Sequence, residues 1–384
     1  MAIFSGIPGA KTPLRHGIVV ALGVWFCVTS AATAAPTYDG LFDVAARKAA
    51  IAADTSGRLR KQCLAIKADS KWLDLEVVDG FRPTAGYGSD RAGAQFAWAV
   101  MVLSGRSLGG DAASTKMLRT LLNTWADRGA FEKTEVGHDA YYALKRALLP
   151  AITAFSIIRD DLPDGERSKI QTWLDPLVRR VDQTFNGDVD VNNHRYLADS
   201  VLMTWGGIVG DDGLYEKGRS RFLSILDEAR ANGGLPLETR RGARALWYMR
   251  QSLTSMVVMA EVARGHGENL YVKTSGDANP VKRSIWTVFG YWLNGINDTV
   301  LVNAYAAENY IPGPSRDYLQ QDTGFLDNRG NGRHYLAFLE ALAAVPAENI
   351  SMQRAIALLQ KDAATERPLI DEFVGGNATC FWGK

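Results

Sequence analysis

The sequence predicts an all-α protein, and three features of its pattern lead to this prediction. Apolar residues recur at helical spacing in one segment after another, and the connections between these segments carry Gly, Pro, Asn and Asp. No array of alternating strands and no βαβ rhythm is present. The helices follow one another in pairs without a fixed repeat period, and no change in composition marks a linker. We therefore expect residues 35–384 to form one domain of stacked helical hairpins.

The first helices of this domain are expected within residues 41–67, which are Ala-rich with apolar residues at helical spacing. Residues 69–88 break the pattern and predict a loop, with a short strand at residues 73–78. The turn at residues 86–90 (GYGSD) then leads into a helix that its Ser or Asp would cap, and this glycine-bearing loop is a candidate lid. Further helices are predicted at residues 91–103, 112–126, 141–159, 165–185, from 192 onward, 214–232, 235–264, 282–292, 298–308, 335–342 and 351–366.

Residues 1–34 have the organisation of a cleavable signal peptide. Lys11 and Arg15 precede an uncharged run over residues 17–34, which ends in Ala-Thr-Ala before Ala-Pro. An uncleaved membrane anchor is the alternative, because 18 uncharged residues approach the length that spans a bilayer. The small residues at the end of the run favour cleavage after Ala34, and hence a periplasmic or secreted protein.

The mature chain would carry almost no net charge. Cleavage removes two basic residues and no acid, which leaves 41 basic residues against 42 acidic ones. A polyanionic partner would therefore have to be held by a local cationic cleft. Cys63 and Cys380 would remain in an oxidising compartment, where they either pair and tie the C-terminal tail to the first helices or stay two separate thiols.

The helix predicted at residues 235–264 has an unusual polar face. Its polar residues advance by three and four positions and therefore share one side of the helix. They are Arg241, Arg244, Tyr248, Gln251 and Ser255. This spacing would hold a phenol beside two guanidiniums, and nearby positive charge favours a phenolate that can exchange a proton. The alternative is an exposed face that carries Arg for solubility and a cation–π contact to Tyr.

A second polar segment, NNHRY at residues 192–196, opens another predicted helix. One of its two asparagines is expected to cap the helix, and His194 by itself is more typical of a packed side chain. Together with Arg241 and Tyr248, however, this segment supplies an amide, an imidazole, a guanidinium and a phenol. That set suits removal of a proton next to a carboxylate followed by loss of the β-substituent. Such a reaction needs donors that neutralise the carboxylate, and an acid and a base of matched pKa.

The two motifs resemble those of the alginate lyases of polysaccharide lyase family 5. NNH is followed 47 residues later by the Arg of R-G-x-R-A-L-x-Y, which begins at Arg241. Residues 86–92 (GYGSDRA) and 121–126 (LLNTWA) are similar to the lid segment and to a Leu-x-x-Trp-Ala helix of the same family. The resemblance implies an incomplete (α/α) toroid with a central cleft. It also implies cleavage of mannuronate-rich alginate by β-elimination, without a metal or another cofactor.

The resemblance further implies roles for single residues. Asn193, His194 and Arg241 would bind and neutralise the uronate carboxylate at the +1 subsite. Tyr248 would take the C5 proton and return a proton to the glycosidic O4, with His194 as the base where the C5 proton lies on the opposite ring face. Tyr87 would close over the substrate from the lid.

Four more residues are predicted to contact the substrate. Arg244 and Tyr196 belong to the two motifs, and Arg329 and Arg333 lie in a basic loop that continues into His334. A solvated charged turn is the alternative for this loop. No cluster of His, Cys or carboxylates has metal-ligand spacing, so we expect no metal site.

Two departures from the family pattern concern the substrate. Leu197 follows the NNHRY motif where the family usually has Trp, and Met249 follows the motif tyrosine where His is common. Both positions are expected at or near the cleft, so polyglucuronate or another uronate-containing exopolysaccharide stays open beside alginate. In each case we expect a monomer that binds an anionic polysaccharide, with no nucleic acid and, after signal cleavage, no membrane as a partner.

Two other functions are weighed against a lyase. A glycoside hydrolase needs two positioned carboxylates, and Asp188 and Asp190 are the pair available for this role. No Asp or Glu lies on the polar face of the helix that carries Tyr248, which favours a lyase. A non-catalytic polyuronate-binding or export protein would use the same cationic cleft only to hold the polymer.

Overall fold

Helices form nearly all of the regular structure, which confirms the predicted all-α class. The computed structural model describes residues 40–83, 91–188, 190–306, 320–327, 333–363 and 367–384. The α-helices are α1 (Val44–Ala53), α2 (Arg58–Cys63), α3 (Arg91–Leu108), α4 (Ala112–Asp127), α5 (His138–Ile158), α6 (Asp164–Arg179), α7 (Asn193–Val209), α8 (Asp212–Glu228), α9 (Pro236–Thr239), α10 (Ala245–Gly265), α11 (Ile285–Asn297), α12 (Thr299–Ala306), α13 (Leu339–Leu342), α14 (Ile350–Ala363) and α15 (Ala378–Trp382).

Several helices begin at residues whose side chains cap them. Asp43, Asp111 and Asp211 each accept a hydrogen bond from a backbone N–H in the first turn of α1, α4 and α8. Ser284 and Thr287 form a reciprocal capping box at the start of α11. These short polar side chains satisfy N–H groups that have no partner inside the helix, so the sequence specifies where each helix begins.

Four helices form the inner layer of the fold. α3 packs on α5, α5 on α7, and α7 on α10, while α4 and α8 pack on the outer sides of α3 and α7. The inner helices are apolar on several sides because they have neighbours on several sides. In α10, for example, every residue from Met249 to Ala263 is buried. The cleft-facing ends of these helices carry the polar residues discussed below.

The predicted helix over residues 235–264 is divided into three pieces. α9 ends at Thr239, a 3₁₀ turn spans Gly242–Arg244, and α10 begins only at Ala245. Gly242 has a φ of 59°, a left-handed conformation that interrupts a helix and that glycine adopts without a steric cost. The prediction that Arg241, Arg244 and Tyr248 share one helical ridge was therefore wrong, although they remain close in space.

The strand predicted at residues 73–78 was also wrong. Ser70–Asp74 form a 3₁₀ helix, and the residues after it join no sheet. A small antiparallel hairpin of β1 (Ile370–Asp371) and β2 (Gly376–Asn377) occurs elsewhere, near the C-terminus. Strands of two residues are too short to show an alternating pattern, so the sequence gives no signal for them.

Cys63 and Cys380 form a disulfide with their Cα atoms 5.4 Å apart, which settles the alternative left open above. The bond joins α15 to α2. The described residues from position 40 onward cluster as one compact unit. The predicted signal segment, residues 1–34, lies outside the described residues, and none of the helices in the described part has the length and apolarity to cross a bilayer.

Candidate active site

A cavity of about 210 Å³ lies where α5, α7 and α10 meet the C-terminal hairpin. It brings together three residues of the two sequence motifs, namely His194 and, 47 or more positions later in the chain, Arg241 and Tyr248. Arg244 and Gln251 from the predicted polar face also reach it. The remaining lining residues are Tyr142, Arg146, Trp247, Tyr335, Glu372 and Phe373.

The two asparagines before His194 have different tasks. Asn192 caps α7, because its Oδ1 accepts the backbone N–H of His194 at 3.0 Å, which confirms the prediction that one of the pair is a cap. Asn193 points inward and is 1% exposed, and its side-chain amide donates to Gln251. Its backbone N–H donates to Glu238 Oε1 at 2.6 Å. Asn193 therefore lies behind the cavity wall and holds Gln251, which lines it.

Glu238 connects the mouth of α7 to α10. The same Oε1 atom that accepts from Asn193 also accepts the hydroxyl of Ser252 at 2.9 Å. Glu238 is completely buried, and burial raises the pKa of its carboxyl while Arg241 opposes that rise. This short network sets the register of the two helices that carry His194 and Tyr248.

His194 is held as a neutral imidazole. Its ring stacks on Phe185 with centroids 4.6 Å apart and meets the edge of Tyr142 at 4.7 Å. Burial, followed by the charges of Lys145 and Arg241, holds the pKa of His194 well below its usual value. A neutral imidazole exchanges hydrogen bonds or accepts a proton, so any charge that neutralises a bound carboxylate has to come from the neighbouring guanidiniums.

Arg241 and Tyr248 form a stacked pair in the cavity. The guanidinium carbon of Arg241 lies 3.9 Å from the centroid of the Tyr248 ring. This cation–π contact was the alternative considered above for an exposed helix face. In the structure both of its residues line the cavity. Arg244 lies at the rim with its side chain 49% exposed, and it forms an ion pair with Asp322 at 3.1 Å.

The cavity also contains residues that sequence reasoning missed. Arg146 pairs with Glu372 at 2.5 Å, although the two residues are 226 positions apart. Tyr142 and Arg146 share one face of α5 by their i, i+4 spacing, which is a signal that could have been noticed. Glu372 follows strand β1, and no local sequence pattern predicts that it lines the cavity.

The described residues offer no carboxylate pair for a hydrolase in this cavity. Glu372 is the one acidic residue among the described residues that line it, and it is paired with Arg146. Asp188 is exposed and Asp190 is half-buried, and neither lines the cavity. Across the described ranges, no group of three or more His, Cys, Asp or Glu could hold a metal ion.

Tyr196 does not reach the cavity, in contrast to its predicted contact with substrate. It is 2% exposed within the hydrophobic core, and burial, with Glu238 next, raises the pKa of its phenol well above the usual value. Two residues along a helix turn the side chain by about 200°, so Tyr196 faces away from the side that carries His194. Leu197 and Met249 are fully buried as well, and neither of them lines the cavity.

The predicted basic loop divides into parts with different positions. Arg329 lies outside the described residues, as does Tyr87 of the candidate lid. His334 is 2% exposed, and its Nδ1 accepts the N–H of Leu336 at 3.0 Å, so it serves the packing of its own turn. Arg333 lies further along the surface, with its guanidinium 5.1 Å from the ring centroid of Trp98.

Two further cavities lie next to the first one, on the side toward Arg333. A small second cavity shares Arg146 and Glu372 with the first, and a third of about 470 Å³ shares Ala94 and Arg333 with the second. The third is also lined by Asp69, Lys71, Trp72, Leu75, Arg91, Gln95 and Trp98. Basic and aromatic side chains thus follow a path that leads away from His194.

Comparisons with known proteins show which proteins this chain is similar to. The family model described as alginate lyase matches residues 112–295, which contain both motifs. A polysaccharide lyase of Stenotrophomonas maltophilia (strain K279a) is 28% identical over 207 residues, 53% of this chain and 60% of that protein. An alginate lyase of Pseudomonas syringae pv. tomato is 25% identical over 164 residues, 41% of this chain and 43% of its own length. The chain therefore spans 60% or less of the length of these curated relatives, and the predicted resemblance to alginate lyases is confirmed.

Solved structures extend the likeness to nearly the whole chain. Alginate lyase A1-III complexed with a tetrasaccharide superimposes with a TM-score of 0.71 at 19% identity, covering 92% of this chain and 98% of that one. An alginate lyase from Bacteroides ovatus gives a TM-score of 0.57 at 15% identity, covering 89% of this chain and 98% of that one. At these identities the match establishes the fold, and it confirms the predicted (α/α) toroid.

Proposed function

We propose that this chain, whose central segment matches the alginate lyase family, is a polysaccharide lyase that cleaves mannuronate-rich alginate by β-elimination. The observation that carries the proposal is the meeting of His194 with the stacked Arg241–Tyr248 pair in one cavity. The product would be a polymer end with a C4=C5 double bond. The chain would need no cofactor for this reaction.

Substrate binding is assigned to the cationic side of the cavity. The C5 proton of a uronate is weakly acidic because its removal gives a dianionic enolate, so positive charge at the carboxylate stabilises the transition state. Arg241 supplies that charge, and Gln251 and neutral His194 supply hydrogen bonds. Asn193 supports this arrangement from behind by its bond to Gln251.

Proton transfer is assigned to Tyr248. Its phenolate takes the proton from C5, the C4–O4 bond breaks as the C4=C5 double bond forms, and the new phenol returns the proton to O4 of the leaving sugar. Both transfers take place on one ring face, as a syn elimination of mannuronate requires. Arg241 lies against the Tyr248 ring and thus places positive charge where negative charge collects when the phenol gives up its proton.

The positions of Leu197 and Met249 do not count against alginate as the substrate. Both residues are buried away from the cavity, so they give no reason to prefer polyglucuronate over mannuronate. We further propose export to the periplasm or the exterior, followed by removal of residues 1–34. The uncharged run in this segment and the pairing of Cys63 with Cys380 support that location.

Ultraviolet absorbance tests the proposed reaction directly. Purified protein mixed with polymannuronate should produce the absorbance of an unsaturated uronate, and Tyr248→Phe should abolish it while the helical circular dichroism stays unchanged. Tyr215→Phe is the matched control, because Tyr215 stacks on His266 and does not line the cavity.

The other functional classes would give different results in the same experiment. New reducing ends without absorbance would indicate a hydrolase. Binding of polymannuronate without either product would indicate a non-catalytic polyuronate-binding protein. Full activity in Tyr248→Phe would remove this residue from the mechanism.

A further inference from the structure

A buried lysine lies directly behind His194. Lys145 on α5 is completely buried, and its Nζ donates to the backbone carbonyl of His194 at 2.9 Å. The same ammonium lies 4.3 Å from the ring centroid of Phe185, whose other contacts include the stack on His194. Lys145 thus contacts His194 directly through the backbone and indirectly through an aromatic ring.

The conformation of Phe185 shows that this arrangement is specific. Phe185 has a φ of 61°, a left-handed conformation that is unfavourable for a residue with a large side chain. Its ring stacks within 20° of parallel on both His138 and His194, with centroids 4.3 and 4.6 Å away. Such strain persists where the surroundings enforce it, and here it places an aromatic ring against both the Lys145 ammonium and the His194 imidazole.

If this position served only packing, a lysine would be less favourable there than an apolar side chain. Removing an ammonium from water costs free energy that an apolar side chain of similar size would not cost. Burial lowers the pKa of Lys145 to about 7, with Asp199 raising it and Arg195 lowering it. The group therefore gains its charge in the pH range in which a histidine would normally take up a proton.

We propose that Lys145 is a positioning residue that keeps His194 neutral and fixed in the cavity. The proposal rests on the lyase function above, in which His194 exchanges hydrogen bonds or a proton with the uronate. Two cations so close together are disfavoured, so the pair takes up one proton and Lys145 receives it. His194 then keeps the imidazole form that the reaction needs as the pH falls.

The other charged groups around His194 do not replace Lys145. His138 and Arg146 on α5 and Arg241 before α10 also disfavour a positive His194. The acid at this end of the cavity, Glu372, is paired with Arg146. Lys145 differs from these groups in its hydrogen bond to the backbone carbonyl of His194, and after burial its charge does most to lower the pKa of His194.

The pH profile of Lys145→Met tests the proposal. Loss of the lysine charge should let His194 take up a proton more readily, so the acidic limb of kcat/KM should move to higher pH by roughly one unit. Lys169→Met is the matched control, because it removes a surface lysine that pairs with Asp127 on the outer helices. An acidic limb that stays in place in folded Lys145→Met would overturn the proposal.

A second measurement works without any catalytic activity. The imidazole proton resonances of the full chain can be titrated by NMR, and the His194 signal is assigned by its loss in His194→Gln. In Lys145→Met this signal should titrate at a higher pH than in the wild type. A titration that is the same in both proteins would refute the proposed coupling, whereas a shift in a protein without activity would refute only the lyase function.

Discussion

Replacing Lys145 with Met should remove a large part of the pH dependence of folding stability. Its pKa in the folded protein is about 7, against 10.5 for the ordinary side chain. Between these values the folded chain binds fewer protons than the unfolded chain, so the free energy of unfolding rises with pH across the window. Above pH 10.5 the lysine is neutral in both states and does not lower the free energy of unfolding. As the pH falls from 10.5 toward 7, the buried lysine lowers that free energy progressively.

The magnitude follows from this difference. Each pH unit well inside the window adds about 1.4 kcal/mol to the free energy of unfolding. Because the lysine is already half-deprotonated at pH 7, the interval from pH 7 to pH 9 adds about 2 kcal/mol. Lys145→Met has no group that titrates there and should lose this rise. The variant also loses the hydrogen bond to the His194 carbonyl, which costs about 1 kcal/mol at every pH. At pH 7 the wild type also bears the free-energy cost of burying the Lys145 ammonium, which the variant avoids. This cost should exceed that of the lost hydrogen bond, so the variant should be the more stable protein.

Urea unfolding at pH 7 and pH 9, followed by tryptophan fluorescence with the disulfide intact, measures this effect. The wild type and Lys169→Met should both become more stable at the higher pH, and Lys145→Met should rise by about 2 kcal/mol less. Groups that titrate in all three proteins cancel in the comparison. If Lys145→Met shows the same rise as the wild type, the lysine is not buried with a lowered pKa, and the reasoning fails.

Three further substitutions have distinct expected outcomes. Arg241→Lys keeps the charge but loses the planar stack on the phenol ring, so kcat/KM on polymannuronate should fall about 100-fold by absorbance while the fold is retained. Replacing Cys63 and Cys380 with Ser opens a covalent loop of more than 300 residues and should lower the free energy of unfolding by about 4 kcal/mol in urea, and reductant should bring the wild type to the same midpoint. Arg333→Ala should raise KM for long polymannuronate about fivefold and leave it unchanged for short oligomers, since Arg333 lies along the path away from the catalytic cavity; an equal effect on both lengths would count against that path.

The parts of the site that could be predicted are those carried by local spacing. A cap of α7 at one of its two asparagines and the closeness of Arg241 to Tyr248 both follow from short-range pattern, and the structure identifies the cap as Asn192. The prediction of one continuous helix over residues 235–264 was wrong, because Gly242 adopts a left-handed conformation that interrupts it. The predicted contact of the pair nevertheless holds, since the turn brings the guanidinium back over the ring.

The parts that could not be predicted depend on which side of a helix is buried. Tyr196 looked like a cleft residue because it is a neighbour of His194 in sequence, but it faces the core. Lys145 belongs to no motif of the sequence, and only the packing of α5 against α7 shows that it is buried behind His194. The spacing of residues in the sequence shows which side chains share a face of a helix. It does not show whether that face packs on the core or lines the cavity.

The chain's own pattern was enough to establish the helical class, the starts of several helices and the two motifs that supply an imidazole, a guanidinium and a phenol. Tertiary packing decided that these motifs share one cavity, that Glu372 reaches Arg146 across 226 residues, and that a lysine is buried beside the imidazole. The physical reason is the range of the interactions. Helix formation and capping depend on residues within about one turn, whereas burial, and with it each shift in pKa, depends on neighbours that are distant in the chain.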